Sequence, residues 1–497
     1  VRASLLLLAL AAGCAGPDGP FVDVATRRGV THRQGSDEAP CFFAGTCEPE
    51  RFSGGAAAGD LDGDGDLDLV FPRLGATPAV YANDGTGRFD AFPAGLPPLR
   101  GNGAGLADLD DDGDLDLVVS TVGERPPDDR PHLFLNAGDG TFHEAPGAFV
   151  SADGPQAGQS VSFGDPDGDG DLDVFIGEWL GTVDGTGQSA SRLYRNEGGG
   201  RFVDATHVFG LAPADCAEGG GLCGRSVFGG VFTDLDDDGA VDLYVVADFG
   251  GSRMFWNEGG RFVEDPGDVL GDEENGMGAA VGDVDGDGDL DLFVTSIFAA
   301  RACVLGCTWG RSGNRLYLNQ GGRRFVDGTD RAGVRDGGWG WGAAFVDADL
   351  DGDLDLVQAN GVSLDGLGVD DGFNRQRLRF WLNDGSGRFV DAAGALGLED
   401  RSEGRGVLAA DLDGDGDEDL VVVTPGGAPR MLENRLAAGD VLRVPAPHGS
   451  RVTLVVEDDR AVREVGSSSV FLTSGEAAVR FPLPEGPHTV EVAGRPR

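Results

Sequence analysis

One acidic nonapeptide limits what this chain can fold into. It first reads Asp60-Leu61-Asp62-Gly63-Asp64-Gly65-Asp66-Leu67-Asp68 and runs directly into Leu69, Val70 and Phe71. Six further copies begin at Asp108, Asp165, Asp234, Asp283, Asp347 and Asp411, so successive starts lie 48, 57, 69, 49, 64 and 64 residues apart. Each copy has carboxylates at positions 1, 3, 5 and 9 and glycine at position 6. That pattern can wrap hard oxygen ligands around one cation, and calcium takes about six to eight such oxygens. Repeats of this length with strands imply a propeller or an array.

Composition agrees. The 497 residues include 86 glycines, as expected of tight turns between short strands, and 40% are hydrophobic, enough for a packed core. Of the 85 acidic residues, 37 lie inside the seven nine-residue loops. A salt-adapted surface scatters its carboxylates, whereas fixed offsets point to ligands. Residues 435–497 differ, with 8 Arg against 5 Glu and 3 Asp, so the whole formal charge of −47 lies upstream. Such a charge argues against nucleic acid and anionic membrane surfaces as partners and favours divalent cations or basic surfaces.

The N-terminus reads as a signal peptide over residues 1–14. Arg2 precedes an apolar run from Leu5 to Ala12 that is too short to span a bilayer. Ala11-Ala12-Gly13-Cys14 resembles the lipobox of bacterial lipoproteins, with Ala11 where leucine is usual. The expectation is an exported lipoprotein held through Cys14 at the outer membrane or cell surface, with secretion as the alternative. The other six cysteines stand as near neighbours: Cys41 with Cys47, Cys216 with Cys223, and Cys303 with Cys307. In an oxidising compartment these separations favour three local disulfides over zinc, since no histidine accompanies any pair.

A second motif travels with the first. After each acidic loop come an apolar strand and a polar stretch, then asparagine, a glycine turn and phenylalanine, as in Asn83 to Phe89, Asn196 to Phe202 and Asn383 to Phe389. Each asparagine opens a hairpin turn and each phenylalanine begins a strand. The unit reads as a four-stranded blade. The seventh unit stops at Asn434 without its phenylalanine strand, and the missing piece stands at the other end, where Phe21-Val22-Asp23-Val24-Ala25-Thr26 matches Phe202-Val203-Asp204-Ala205-Thr206. The fold class predicted is all-β: a seven-bladed β-propeller over 21–434, closed by an N-terminal strand that removes its open edges. Residues 435–497 form a small C-terminal β domain, with alternating runs at Arg451 to Val456 and His488 to Val492.

These motifs resemble the FG-GAP (VCBS) calcium-binding repeats of integrin α-subunit propellers and many bacterial surface proteins. Phe163-Gly164 before Asp165 and Gly229-Gly230 before Asp234 match the namesake dipeptides. In the tail, Gly449 to Leu454, Arg463-Glu464-Val465, Phe471-Leu472 and Val479 to Leu483 resemble the ASPIC/UnbV domain. Together the two parts look like a bacterial member of the cartilage-acidic-protein family. The resemblance implies that side chains at positions 1, 3, 5 and 9 bind calcium while position 7 offers its carbonyl. The first site is then Asp60, Asp62, Asp64 and Asp68, and the second Asp108, Asp110, Asp112 and Asp116. The third is Asp165, Asp167, Asp169 and Asp173, and the fourth Asp234, Asp236, Asp238 and Asp242. The fifth is Asp283, Asp285, Asp287 and Asp291, the sixth Asp347, Asp349, Asp351 and Asp355, and the seventh Asp411, Asp413, Asp415 and Asp419. Ala240 at position 7 of the fourth loop suits a backbone ligand. An EF-hand needs Glu at position 12, which here is Phe71. Magnesium demands tight octahedral geometry and keeps its waters. Up to seven Ca²⁺ ions are therefore expected.

Catalytic motifs are lacking: none of the six histidines belongs to a metalloprotease motif, and there is no Gly-x-Ser-x-Gly elbow, P-loop or dinucleotide fingerprint. The acidic pairs are accounted for by the metal loops, and Trp179, Trp309, Trp339 and Trp341 read as packing residues before they read as a sugar or protein surface. The expectation is a non-catalytic adhesion or interaction scaffold for an extracellular protein or glycan. The alternative is an extracellular polysaccharide-acting enzyme, since some calcium-rich propellers are sugar lyases.

Overall fold

The computed structural model describes residues 19–34, 53–122, 130–151, 156, 158–179, 191–212, 222, 225–267, 269–299, 310–362, 373, 376–399, 401–436, 439–457, 459–466, 471–484 and 486–493. Cys14, the other six cysteines and Trp309 lie outside these residues.

Among the described residues, seven mainly antiparallel sheets carry the repeats. The first consists of Ala56–Gly59, Asp68–Phe71, Ala79–Asn83 and Phe89–Ala91, paired in that order. Position 9 of each acidic loop is the first residue of the second strand, as at Asp68, Asp116 and Asp173. Each loop therefore sits in the turn between strands one and two. The closing phenylalanine begins the fourth strand, with Phe buried and the next residue more exposed.

The first strands stand side by side about the axis. Ala56–Gly59 neighbours Leu99–Ala107, and the circle continues through Val161–Gly164, Val227–Thr233, Ala279–Gly282, Gly340–Val346 and Val407–Ala410 back to Ala56–Gly59. Crowding here explains their small residues: a Cβ on Gly164 would lie 2.4 Å from the Phe232 ring of the next blade. The second strands are fully buried, as in Asp68–Phe71 and Asp291–Val294, because each is covered by blades on both sides.

Ring closure agrees with the expectation from sequence. Val22 and Asp23 pair antiparallel with Glu433 and Leu432 and so supply the fourth strand of the seventh sheet. Phe21 packs 5.5 Å from Phe380 in the sixth blade.

The C-terminal module is all-β, as its alternating runs indicate. Arg451–Val456 is flanked by Asp459–Glu464 and His488–Ala493, and Val441–Pro445 pairs with Ala478–Pro482. One described segment, Phe471–Ser474, takes a course that the sequence did not indicate. It enters the ring on its axis. Thr473 and Ser474 add a short parallel strand to Ala56 and Ala57. The Leu472 carbonyl accepts the Ala56 N–H at 3.3 Å, and the Leu472 N–H donates to Ser160 Oγ at 2.9 Å. Phe471 and Leu472 are fully buried in one cluster with Leu74, Val122, Trp179, Phe228 and Trp341. Trp179 and Trp341 are thus packing residues, as their sequence context suggested.

This insertion predicts that Leu472→Ala removes about 2–5 kcal/mol, the range for truncating a buried leucine. A melting temperature equal to that of the wild-type chain would show that the insert carries no load.

Candidate metal centre

Backbone geometry is common to the seven loops. Position 6 is glycine with φ between +87° and +103°, from Gly239 to Gly170, a conformation open to glycine alone at little cost. Position 4 is left-handed as well. Glycine fills it at Gly63, Gly168, Gly286 and Gly414, and Asp111, Asp237 and Leu350 adopt it at φ 65°, 62° and 54°. Aspartate tolerates this region, whereas leucine is strained there.

Side chains then converge. Carboxylate oxygens of Asp60, Asp62 and Asp68 lie within 4.8 Å of one another, as do those of Asp108, Asp110 and Asp116. The same holds for Asp234, Asp236 and Asp242, for Asp283, Asp285 and Asp291, and for Asp165, Asp167 and Asp169. In the sixth and seventh loops, Asp347, Asp349 and Asp351 add to the burial that raises the pKa of Asp355, and Asp411, Asp413 and Asp415 do the same for Asp419.

Positions 5 and 9 each have a structural duty besides. In all seven loops the position-5 carboxylate (Asp64, Asp112, Asp169, Asp238, Asp287, Asp351, Asp415) accepts the N–H of position 7 at 2.9–3.2 Å. That bond closes a turn over positions 5 to 7. The position-9 Oδ1 accepts the backbone N–H of the repeat asparagine, from Asn434 at 2.7 Å to Asn83 at 2.9 Å. Its Oδ2 accepts the position-2 N–H, as from Leu61 at 3.0 Å and Val284 at 3.0 Å. In the third loop position 2 is Pro166, which has no N–H to give. Asp173 Oδ2 is accordingly buried without a hydrogen-bond partner.

Other oxygens share that condition. Asp110 Oδ1, Asp285 Oδ1 and Asp349 Oδ1, all at position 3, are buried and accept no hydrogen bond. A buried carboxylate oxygen without a donor is costly, and a cation at the loop centre would satisfy it. The all-oxygen donor set, with no nitrogen or sulfur, fits calcium.

The cost appears in the acidities. Burial, above all, lifts the position-9 carboxyls from the ordinary 3.8 to about 6 at Asp68, about 7 at Asp116, about 8 at Asp242 and Asp291 and about 9 at Asp173. Neighbouring loop carboxylates add to the rise and the asparagine N–H opposes it.

The asparagines do more than open turns. In six of them Oδ1 accepts a turn N–H, as from Gly138 to Asn136 at 3.1 Å, whereas at Asn83 it is buried without a partner. Nδ2 reaches back to the position-2 carbonyl of the preceding loop in the ring's hydrogen-bonded circle. Asn136 donates to Leu61, Asn196 to Leu109, Asn257 to Pro166, Asn319 to Leu235, Asn383 to Val284 and Asn434 to Ala348, at 2.8–3.0 Å. Asn83 closes the circle on Leu412 of the seventh loop at 2.9 Å. Sequence reasoning missed this role, although the invariable asparagine of the repeat was its signal.

Fold and loops together define a propeller of repeats, each with an aspartate cluster able to hold a metal ion. The chain belongs to the FG-GAP-like repeat family, whose model matches residues 60–119, 108–176, 234–294, 303–357 and 365–422. It is also similar to cartilage acidic protein 1 of Homo sapiens, 30% identical over 176 residues, covering 33% of this chain and 24% of that protein. The Xenopus tropicalis counterpart is 33% identical over 178 residues with the same coverage. The match thus spans about a quarter of the relatives' length. Among solved structures, BBS1N in complex with ARL6DN aligns at TM-score 0.44 and 10% identity, over 84% of this chain and 97% of that one. The Bacillus licheniformis rhamnogalacturonan lyase PL11 aligns at TM-score 0.41 and 13% identity, over 85% and 76%.

Two outcomes are expected. Asn257→Ala, which strands the Pro166 carbonyl, lowers stability by about 1–3 kcal/mol, measurable by denaturant titration. Position-9 carboxyls with raised pKa bind protons more tightly folded than unfolded, so metal-free stability falls as pH rises from about 4 towards about 9. Chelated protein should therefore melt higher at pH 5 than at pH 8; the opposite order would contradict the assignment of buried charge.

Proposed function

We propose that this chain is an exported calcium-binding repeat protein that acts as a non-catalytic adhesion or interaction scaffold at the cell surface. Calcium stiffens the ring, and the connections between strands are presented to an extracellular protein or glycan. The observation that carries this reading is the set of buried, donor-less oxygens of Asp110, Asp173, Asp285 and Asp349, which a cation in each loop would satisfy. Similarity to cartilage acidic protein 1 supports an extracellular setting. A lipid on Cys14 and local disulfides among the six other cysteines belong to the same proposal.

Magnitudes make calcium structural. Extracellular modules bind it at roughly 10⁻⁴–10⁻³ M. At about tenfold saturation each site contributes roughly 1.4 kcal/mol, so seven give on the order of 10 kcal/mol. A whole domain has roughly 5–15 kcal/mol.

A second reading, an enzyme acting on acidic polysaccharide, has one observation in its favour. Arg100, Arg130 and His132 line a cleft of about 530 Å³ with Glu144, and His132 Nδ1 lies 3.0 Å from Glu144 Oε1. Breakdown of uronate polymers that is lost in His132→Ala would move the assignment to this cleft.

Calcium titration of chelated protein, with bound ions counted and melting followed, tests the first reading. Up to seven ions and a large rise in melting temperature are expected; no ions and an unchanged melt would sink it.

A further inference from the structure

The C-terminal module brings arginines onto the acidic loops. Arg463, on the strand Asp459–Glu464, is 8% exposed, and its guanidinium lies 5.0 Å from the Phe481 ring centroid. Its Nη2 donates to Asp347 Oδ2 at 3.0 Å. Asp347 is position 1 of the sixth loop, itself buried, and the same oxygen accepts the Gly352 N–H at 3.2 Å. In the first and fifth loops the matching carboxylates of Asp60 and Asp283 accept N–H groups from Gly65 and Gly288 in the same way. Arg480 Nε stands 3.9 Å from Asp411 Oδ2, position 1 of the seventh loop, and Arg451 Nη2 donates to the Asp234 carbonyl at 2.8 Å. These contacts flank the segment Phe471–Ser474 that enters the ring.

We infer that calcium in the sixth loop and Arg463 are rival cations on the Asp347 carboxylate, so that calcium entry there and docking of the C-terminal module oppose each other. The inference rests on the calcium reading above and adds its regulation. An ion drawn into the loop takes lone-pair density from Asp347 and places two positive charges near a guanidinium in a poorly solvated interface, where like charges repel strongly. The coupling is reciprocal: the factor by which docked Arg463 weakens calcium is the factor by which calcium weakens docking. The sixth loop also carries the strained Leu350 where four others have glycine. It is therefore the last to fill. The tighter loops set the ring, and the last calcium loosens the hold of the module and of the Phe471–Leu472 insert.

The test uses the full chain and calcium alone. Calorimetric titration of the wild type should resolve a weak class of site, and Arg463→Gln should tighten it about tenfold or more. Arg460→Gln, an exposed substitution in the same strand whose partner is Glu491, should leave the isotherm as it is. In the wild type, hydrogen exchange at Leu472 and Ala56 should quicken as the weak class fills. A calcium isotherm unmoved or weakened by Arg463→Gln overturns the rivalry, as does slower exchange at Leu472 on final filling. If Arg463→Gln does not fold, the wild-type exchange measurement decides alone. Failure of all calcium binding overturns the calcium reading together with this inference. Calcium sites that fill normally but ignore Arg463 overturn the inference only.

Discussion

Besides the apolar packing between neighbours, each blade is tied to the one before it by an asparagine side-chain amide, and the coupling of the acidic loops depends on that bond. The same residue grips in three directions. Its backbone N–H fixes the position-9 aspartate of its own loop, its Oδ1 in every copy but Asn83 accepts a turn N–H, and its Nδ2 takes the position-2 carbonyl of the preceding loop. Position 2 in turn donates to its own position-9 carboxylate in most blades, as Leu109 does to Asp116. The acidic loops are therefore joined into one hydrogen-bonded circle through Asn83 and Leu412. A cation in one loop would stiffen the anchor of the next, and carboxylate repulsion in an empty loop would strain both. Buried polar networks of this kind stabilise when complete and cost heavily when partly satisfied.

The third loop shows how finely that balance is set. Proline at position 2 still offers its carbonyl to Asn257 but has no N–H for Asp173. Burial then lifts the Asp173 carboxyl to about 9, and the Asn196 N–H alone opposes the rise, where Asp68 and Asp291 each have two backbone donors. One missing donor leaves the charge dependent on a cation or a proton.

Much of this was legible in the sequence because its signals are local. Ligand spacing, the glycine at position 6 and the phenylalanine strands each lie within a few residues, and the match of Phe21 to Ala25 with Phe202 to Ala205 revealed the closure. The asparagine bridge was hidden for a physical reason: its turn-forming role already explained the residue, and its second partner lies 75 residues away for Asn136 and 329 away for Asn83. The insertion of Phe471–Ser474 was hidden too. In the chain Phe471-Leu472 reads only as part of the ASPIC/UnbV resemblance, and only the hollow axis of a closed ring creates a place to bury it. The left-handed backbone at Leu350 arises from the loop geometry and not from its side chain.

The axis of the ring is filled by the chain's own residues. A propeller is built around a central channel, yet here Phe471 lies 5.7 Å from Phe228 and 5.5 Å from Trp341, and Leu472 hydrogen-bonds to three blades through Ala56, Ala104 and Ser160. Arg405 caps this cluster, fully buried and 4.2 Å from the Trp341 ring. The acidic face meets the C-terminal module through Arg451, Arg463 and Arg480, which explains why a tail of zero net charge is rich in arginine. The rim opposite the acidic loops includes the connections between second and third strands. They carry the exposed Phe249, held at φ 56° beside Asp248, which itself binds Trp179 and Asn275.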